Sequence, residues 1–142
     1  MKGKSRAVLT AGLGIVLSLS ITSSAEAAVT GLDIGSGSLE DKGLAATVPV
    51  TFTCDAGGLY WIEFSLRQIA RQRTITEGYA GTSGSCTGEP QTLVLQFQPS
   101  PEPFKSRKAL ADVSMSSYCY VGVDLYEHCG DARVTEEIQL RR

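Results

Sequence analysis

One stretch, Ala46 to Gln68, constrains the fold of this chain more than any other. Between Ala46 and Cys54, apolar residues occupy every second position, which is the period of a half-buried β-strand. Residues 55–58, Asp-Ala-Gly-Gly, then have the chemistry of a tight turn. Alternation resumes after the turn, with one apolar face made by Ile62, Phe64 and Leu66. We therefore predict a β-hairpin that carries Cys54 on its buried face.

The first 27 residues have the three parts of a secretory signal peptide. A basic start is followed by an apolar run over residues 7–21 and by the small residues of Ala25-Glu26-Ala27. The apolar run is shorter than the roughly 20 residues that a membrane span needs. We predict cleavage after Ala27, secretion, and one domain over residues 28–142.

The charge of that domain disfavours two classes of partner. Residues 28–142 contain 10 basic and 14 acidic residues, a net charge of −4. Nucleic acids and anionic membranes attract basic surfaces, so we expect neither as a partner. The domain also lacks an apolar run long enough to span a bilayer, so we expect no stable membrane insertion.

All four cysteines lie in the predicted mature domain. In an exported chain, an even number of cysteines favours disulfides over metal ligation, and four cysteines allow three pairings. We favour the sequential pairing, Cys54–Cys86 and Cys119–Cys129. In the chain-entropy model, each such bridge contributes about 3 to 4 kcal/mol to stability.

Further short strands are predicted over residues 29–34, 71–76, 92–98, 108–116 and 132–140. The Gly/Ser-rich residues 77–88 are typical of a mobile loop or a weak edge strand. Residues 39–44 read as a polar connection, and residues 118–125 as extended chain. Prolines at positions 99, 101 and 103 predict a loop that crosses the end of a sheet.

About seven strands with regular turns and no convincing helix predict an all-β, Ig-like antiparallel β-sandwich. Trp61 follows Cys54 too closely for the cysteine–tryptophan–cysteine spacing of antibody domains, and by alternation it faces away from the core. We therefore expect the Ig-like architecture without membership of the antibody set.

Several segments resemble small exported proteins of actinobacteria: VTFTCDAGG, IEFSLRQ, CTGEPQTLVLQF, PFKSRKALADVSM and CGDARVTEEIQLRR. The resemblance implies a signal peptide and an Ig-like β-sandwich, and it brings no catalytic residue with it. The chain is also similar to the enediyne chromoprotein apoproteins in length, export, acidity and number of disulfides. Its cysteine spacing departs from theirs.

The residues that could perform chemistry form no recognisable catalytic pattern. His128 is the only histidine, and no G-x-S-x-G sequence supplies a nucleophile. Cys119, His128 and Cys129 could hold zinc only without the predicted disulfide. Asp124, Glu127 and Asp131 lack the residue order of a calcium loop, which favours a solvated acidic turn. We predict no enzyme, no metal and no cofactor.

Two groups of residues are candidates for binding instead. Trp61, Arg67 and Arg71, with Arg73, fall on one side of an extended strand, and Trp and Arg dominate binding hot spots. Tyr118, Tyr120 and Tyr126 flank the last cysteine loop. We expect these residues to contact an extracellular protein or a cell-envelope glycan.

Two alternatives remain open. A small-molecule carrier of the chromoprotein type would need an apolar pocket between the sheet and the loops 78–88 and 119–129. A protease inhibitor would need a rigid exposed loop, for which residues 120–129 are the candidate.

Overall fold

A computed structural model describes residues 29–71 and 73–142, which form an all-β fold. The strands are β1 (Thr30–Ile34), β2 (Gly37–Glu40), β3 (Ala45–Thr53), β4 (Leu59–Ile69), β5 (Ile75–Ser85), β6 (Gln91–Phe97), β7 (Lys108–Gly122) and β8 (Leu125–Arg141), with a short 3-10 turn at Asp41–Gly43. Across these two ranges, no helix has the length and apolar character to cross a membrane. The predicted signal peptide lies outside the described residues.

The strands form two layers. In the first layer, β3 pairs with β6 on one side and with β1 and then β2 on the other. The second layer has the order β5-β4-β7-β8, and every pair in it is antiparallel. A short parallel contact between β2 and β8 joins the layers. The predicted all-β class is confirmed, with eight strands in place of about seven, whereas the Ig-like arrangement stays a prediction.

The two layers bury their alternating apolar faces against each other. Phe64 of β4 packs edge-on against Phe97 of β6, with ring centroids 4.7 Å apart. Phe52 of β3 makes the same kind of contact with Tyr60 of β4 at 4.8 Å. All four rings are buried, so aromatic contacts between the layers stabilise the centre of the fold.

The predicted hairpin between β3 and β4 is wrong. β3 pairs only with strands of the first layer, and β4 pairs only with β5 and β7 in the second. The turn at residues 55–58 therefore carries the chain from one layer to the other. Alternation correctly predicted both strands and which face of each is buried. It does not show whether the two strands pair in one sheet or pack against each other from opposite sheets, because each has one buried face in both cases.

The Gly/Ser-rich stretch forms β5, an edge strand that pairs with β4 from Ile75 to Ser85. The edge-strand interpretation of this stretch is confirmed, and the loop interpretation is wrong. The strand predicted from residue 71 begins only at Ile75, since the Thr74 N–H donates a hydrogen bond to the Arg71 carbonyl at 2.7 Å and not to a neighbouring strand. Residues 39–44, predicted as a plain connection, include the end of β2 and the 3-10 turn.

The last two strands form one long hairpin. β7 extends to Gly122 and β8 starts at Leu125, so the turn consists of Val123 and Asp124, both with positive φ. The segments predicted separately over residues 108–116, 118–125 and 132–140 are thus parts of two continuous strands. The predicted cysteine loop is the end of this hairpin, since Tyr120 pairs with Tyr126 across the ladder.

Both predicted disulfides are confirmed. Cys54 and Cys86 join the end of β3 in the first layer to the residue after β5 in the second. Cys119 and Cys129 join β7 to β8 within one hairpin. The first bridge therefore connects the layers, and the second braces strands that are already paired.

The proline-containing loop crosses from β6 to β7, as predicted, and is held to both layers. The buried Gln68 side chain accepts a hydrogen bond from the Lys105 N–H at 2.7 Å and donates to the carbonyls of Lys105 and Lys108 at 3.0 and 3.1 Å. The Phe104 N–H donates to the Gly43 carbonyl at 2.9 Å. Gly43 has a φ of +93°, and a Cβ atom there would lie 2.0 Å from the Phe104 carbonyl oxygen, so this approach requires glycine.

We expect Phe64→Ala to lower the free energy of unfolding by about 3 to 5 kcal/mol, because it removes a buried ring between the layers. The exposed Val94, on β6, provides the control. Val94→Ala should change stability by less than about 0.5 kcal/mol. Urea unfolding followed by circular dichroism measures both values, and equal losses would contradict this packing account.

We expect removal of Cys54–Cys86 to cost more stability than removal of Cys119–Cys129. The sequence separations are 32 and 10 residues, for which the chain-entropy model gives about 4 and about 3 kcal/mol. Paired Cys→Ala variants, compared by urea unfolding under oxidising conditions, measure the difference. A larger loss from the second bridge would contradict the assignment of the first as the connection between layers.

Candidate functional site

The outer face of the second layer contains an open trough with a volume of about 640 Å³. It runs across β5, β4, β7 and β8, whose inward side chains fill the core and whose outward side chains line the trough. The outward lining side chains are Trp61, Glu63, Ser65, Arg67, Tyr79, Asp112, Ser114 and Arg133, with Gly81 among them. We call this surface the outer trough.

Two exposed aromatic rings belong to the outer trough, and each is held by a glutamate. Trp61, 51% exposed, donates its indole N–H to Glu63 Oε1 at 3.3 Å. Tyr79, 66% exposed, donates its hydroxyl proton to Glu77 Oε2 at 2.7 Å. This hydrogen bond raises the pKa of Tyr79 above its ordinary value.

A bidentate ion pair lies across the same face. Arg133 on β8 donates from Nε to Asp112 Oδ1 at 2.9 Å and from a terminal nitrogen to Oδ2 at 2.6 Å. These hydrogen bonds hold the pKa of Asp112 below its ordinary value. Arg67 on β4 similarly contacts Glu77 Oε1 at 3.2 Å. Both arginine side chains are therefore oriented before any ligand arrives.

A second hollow of about 450 Å³ adjoins the outer trough at Arg67. Its apolar lining comes from three exposed side chains, Ile69, Ile75 and Leu110. Lys108 and Glu137 form an ion pair at its border, at 2.6 Å. This hollow is smaller and lacks an aromatic ring.

The structure brings together two of the six predicted binding residues. Trp61 and Arg67 both line the outer trough. Arg71 lies in the turn beyond the end of β4, as does Arg73, and does not share the strand face expected for them. The prediction that placed these arginines on one extended strand is wrong, because β4 ends at Ile69.

The three predicted tyrosines lie toward the β7–β8 turn, outside the outer trough. Tyr118 packs edge-on against His128, with ring centroids 5.8 Å apart. Tyr120 and Tyr126 make a similar contact at 5.6 Å. The two pairs are cross-strand contacts of the hairpin, so they stabilise the ladder.

Sequence reasoning missed Tyr79, Asp112 and Arg133. Tyr79 was hidden because its segment was interpreted as a loop or a weak edge strand. Asp112 and Arg133 each fall on the polar face of an alternating strand, and this pattern could have identified both as outward-facing. The pattern could not show that they form a pair, because 21 residues separate them in the chain.

His128 belongs to a small exposed cluster with Asp131 and Ser116. His128 Nε2 lies 2.9 Å from Asp131 Oδ1, and the Ser116 hydroxyl donates to the same oxygen at 2.7 Å. The carboxylate thus stands between the histidine and the serine. A serine nucleophile needs the opposite order, with the histidine next to the hydroxyl.

The zinc alternative at Cys119, His128 and Cys129 is excluded by the disulfide, since both sulfur atoms are bonded to each other. Within residues 29–71 and 73–142, no three histidine, cysteine, aspartate or glutamate side chains are grouped as a metal site requires.

No protein-family model, no curated protein and no solved structure matches this chain. The resemblance to actinobacterial exported proteins therefore stays a prediction, and any functional proposal depends on the geometry described above.

We expect Asp112→Asn to lower the urea midpoint at pH 7 and to lower it less at pH 2.5. The folded state holds the pKa of Asp112 below its unfolded value, so the carboxylate stabilises the fold above about pH 4, and that stability is lost as the pH falls through the folded pKa.

The control for this prediction is Glu137→Gln, which removes one partner of the exposed Lys108 ion pair. It should lower the midpoint at pH 7 less than Asp112→Asn does, because exposed pairs contribute little. An effect of Asp112→Asn that is equally large at pH 7 and pH 2.5 would contradict the assignment.

Proposed function

We propose that this chain is a secreted, non-catalytic protein with an Ig-like β-sandwich that binds an extracellular or cell-envelope partner through the outer trough. One observation carries the proposal: Trp61 is half exposed on a strand face, with its indole N–H hydrogen-bonded to Glu63. Tryptophan is the residue type most enriched at binding hot spots. Burial of an aromatic ring of this size is favourable, so a partner that covered Trp61 would gain that free energy on binding.

The state of the surrounding side chains supports binding without rearrangement. Glu63 and Asp112, which line the trough, and Glu77, which does not, each accept a hydrogen bond from a residue that lines it. Side chains that are already oriented lose little conformational entropy when a ligand binds. Strand positions also hold such groups more precisely than loops do.

Secretion is supported by two independent features. Residues 1–27 have the pattern of an export signal, and both cysteine pairs form disulfides. Disulfides persist in oxidising compartments and are rare in the cytosol.

The carrier alternative receives less support. It needs an enclosed apolar pocket, and the side chains between the layers, among them Phe52, Phe64, Phe97 and Phe104, are fully buried against one another. Residues 78–88 and 119–129, which were expected to form the walls of the pocket, lie mostly in strand β5 and in the β7–β8 hairpin. Neither the outer trough nor the second hollow is lined by any of residues 119–129.

The inhibitor alternative has one observation in its favour. The hairpin turn is braced by Cys119–Cys129, and Val123 at its tip is 93% exposed. However, the flanking residues are paired within the β-ladder, as Tyr120 is with Tyr126. The segment therefore does not offer the free extended backbone that a protease cleft would bind.

We expect Trp61 to be shielded when the mature domain meets its partner. Trp61 is the only tryptophan of the chain, so a domain of residues 28–142 that contains 5-fluorotryptophan carries one fluorine label, in the outer trough. The isolated cell envelope and the secreted proteins of the exporting organism, whose tryptophans carry no fluorine, are each added to this domain. The fraction that holds the partner should shift or broaden the fluorine-19 signal of Trp61.

Retention of labelled variants on that fraction completes the test. Trp61→Ala should weaken binding about 30-fold or more, the effect of losing a hot-spot residue of about 2 kcal/mol. The control, Tyr120→Ala, removes an equally exposed aromatic ring outside the trough and should bind within about twofold of the native protein. If neither fraction shields Trp61, the proposed function is wrong.

A further inference from the structure

We infer that the ligand of the outer trough is an uncharged glycan chain, with one sugar ring on Trp61 and another on Tyr79. This inference rests on the proposed binding function and names its ligand. It depends on four features of the trough: the spacing of its aromatic rings, its floor, its charge and the character of its centre.

The two aromatic rings stand apart along the strand direction. Tyr79 pairs with Ser65, which follows Trp61 on β4 by four residues. At the rise of a β-strand, these two positions on β4 are about 13 Å apart. One sugar ring cannot cover both aromatic rings, whereas an extended oligosaccharide can. The flat C–H face of a pyranose is apolar and packs on an aromatic ring.

Small residues make part of the floor of the outer trough. Gly81 lies opposite Glu63 on β5, Ser114 lies opposite Glu63 on β7, and Ser65 lies opposite Tyr79. A side chain at Gly81 would fill part of this space, and its absence lets a flat ligand approach the sheet closely. The serine hydroxyls both donate and accept hydrogen bonds, as the hydroxyl groups of a sugar require.

The charges of the outer trough nearly cancel. Among the lining residues, the carboxylates of Glu63 and Asp112 stand against the guanidinium groups of Arg67 and Arg133. Both arginines are already paired, Arg133 with Asp112 and Arg67 with Glu77, which lies outside the lining. A site for a phosphate or a uronic acid would present unpaired cationic groups. Paired groups can still exchange hydrogen bonds with neutral hydroxyl groups at their free edges.

The centre of the outer trough also disfavours a protein ligand. The core of a protein interface is depleted of charged residues and is more apolar than its rim. Here Glu63 lies between the aromatic rings, and Asp112 and Arg133 lie beside them on β7 and β8, so the rings do not form one apolar patch. Alternating rings and polar groups match the alternating apolar faces and hydroxyl edges of a glycan.

The first test uses two chemical treatments of the isolated cell envelope. Proteinase K digestion removes proteins, and periodate cleaves the vicinal diols of sugars. We expect the mature domain to bind the protease-treated envelope within twofold of the untreated sample, and to lose at least tenfold on the periodate-treated one. Binding that survives periodate but not protease would overturn the glycan inference and leave the proposed function standing.

The second test titrates the domain with soluble β-glucan, xylan, dextran and chitin oligosaccharides, with polygalacturonate as the anionic probe. Trp61 emission should saturate with at least one neutral probe, and the affinity should change less than twofold between 50 and 500 mM NaCl, since charge attraction is not used. Saturation with polygalacturonate alone would overturn the inference.

A matched pair of tyrosine variants locates the site. Tyr79→Ala should weaken binding to the protease-treated envelope at least tenfold, and Tyr120→Ala should leave it unchanged within twofold; both tyrosines are exposed on strands. Equal effects of the two variants would overturn the inference. If nothing shields Trp61, in either the treated or the untreated fractions, the binding function and the glycan inference both fail.

Discussion

The contact of Phe64 with Phe97 between the two layers is the interaction on which the other features depend. Side chains on a strand alternate between its faces. Once Phe64 points into the core, Glu63 and Ser65 must point outward, and Trp61 and Arg67 follow with the same period. The outer trough is thus the reverse side of the hydrophobic core. A slip of one residue in β4 would bury Glu63 and Arg67 and expose Phe64.

The filled core also determines which surfaces are accessible. Aromatic rings and aliphatic side chains fill the space between the layers, so a ligand has access only to outer faces. The second layer has the wider outer face, which is formed by the long antiparallel strands β5, β4, β7 and β8. The crossing loop, tied to Gln68 and Gly43, closes one end of the core, and the Cys54–Cys86 bridge joins the layers near the end of β3.

The outer trough is rigid for local reasons. Its floor is hydrogen-bonded β-sheet, and its acidic side chains are held by neighbours on the same or adjacent strands, as Asp112 is by Arg133. The hairpin of β7 and β8 supplies one wall and is braced by Cys119–Cys129. If the outer trough binds the proposed ligand, its surface is formed before the ligand arrives, and selection then depends on the match of shape and charge.

The sequence by itself determined the all-β class, most strand positions and the outward orientation of Trp61, because each follows from a local pattern. For the disulfides it favoured the sequential pairing among the three that four cysteines allow. Only the tertiary structure decided that β3 and β4 belong to different layers, that Tyr79 lies beside Ser65, and that Arg133 reaches Asp112. Periodicity reports which face of a strand is buried, whereas pairing depends on hydrogen bonds and packing between segments far apart in the chain. The outer trough is assembled from four such segments, and no single one of them contains its pattern.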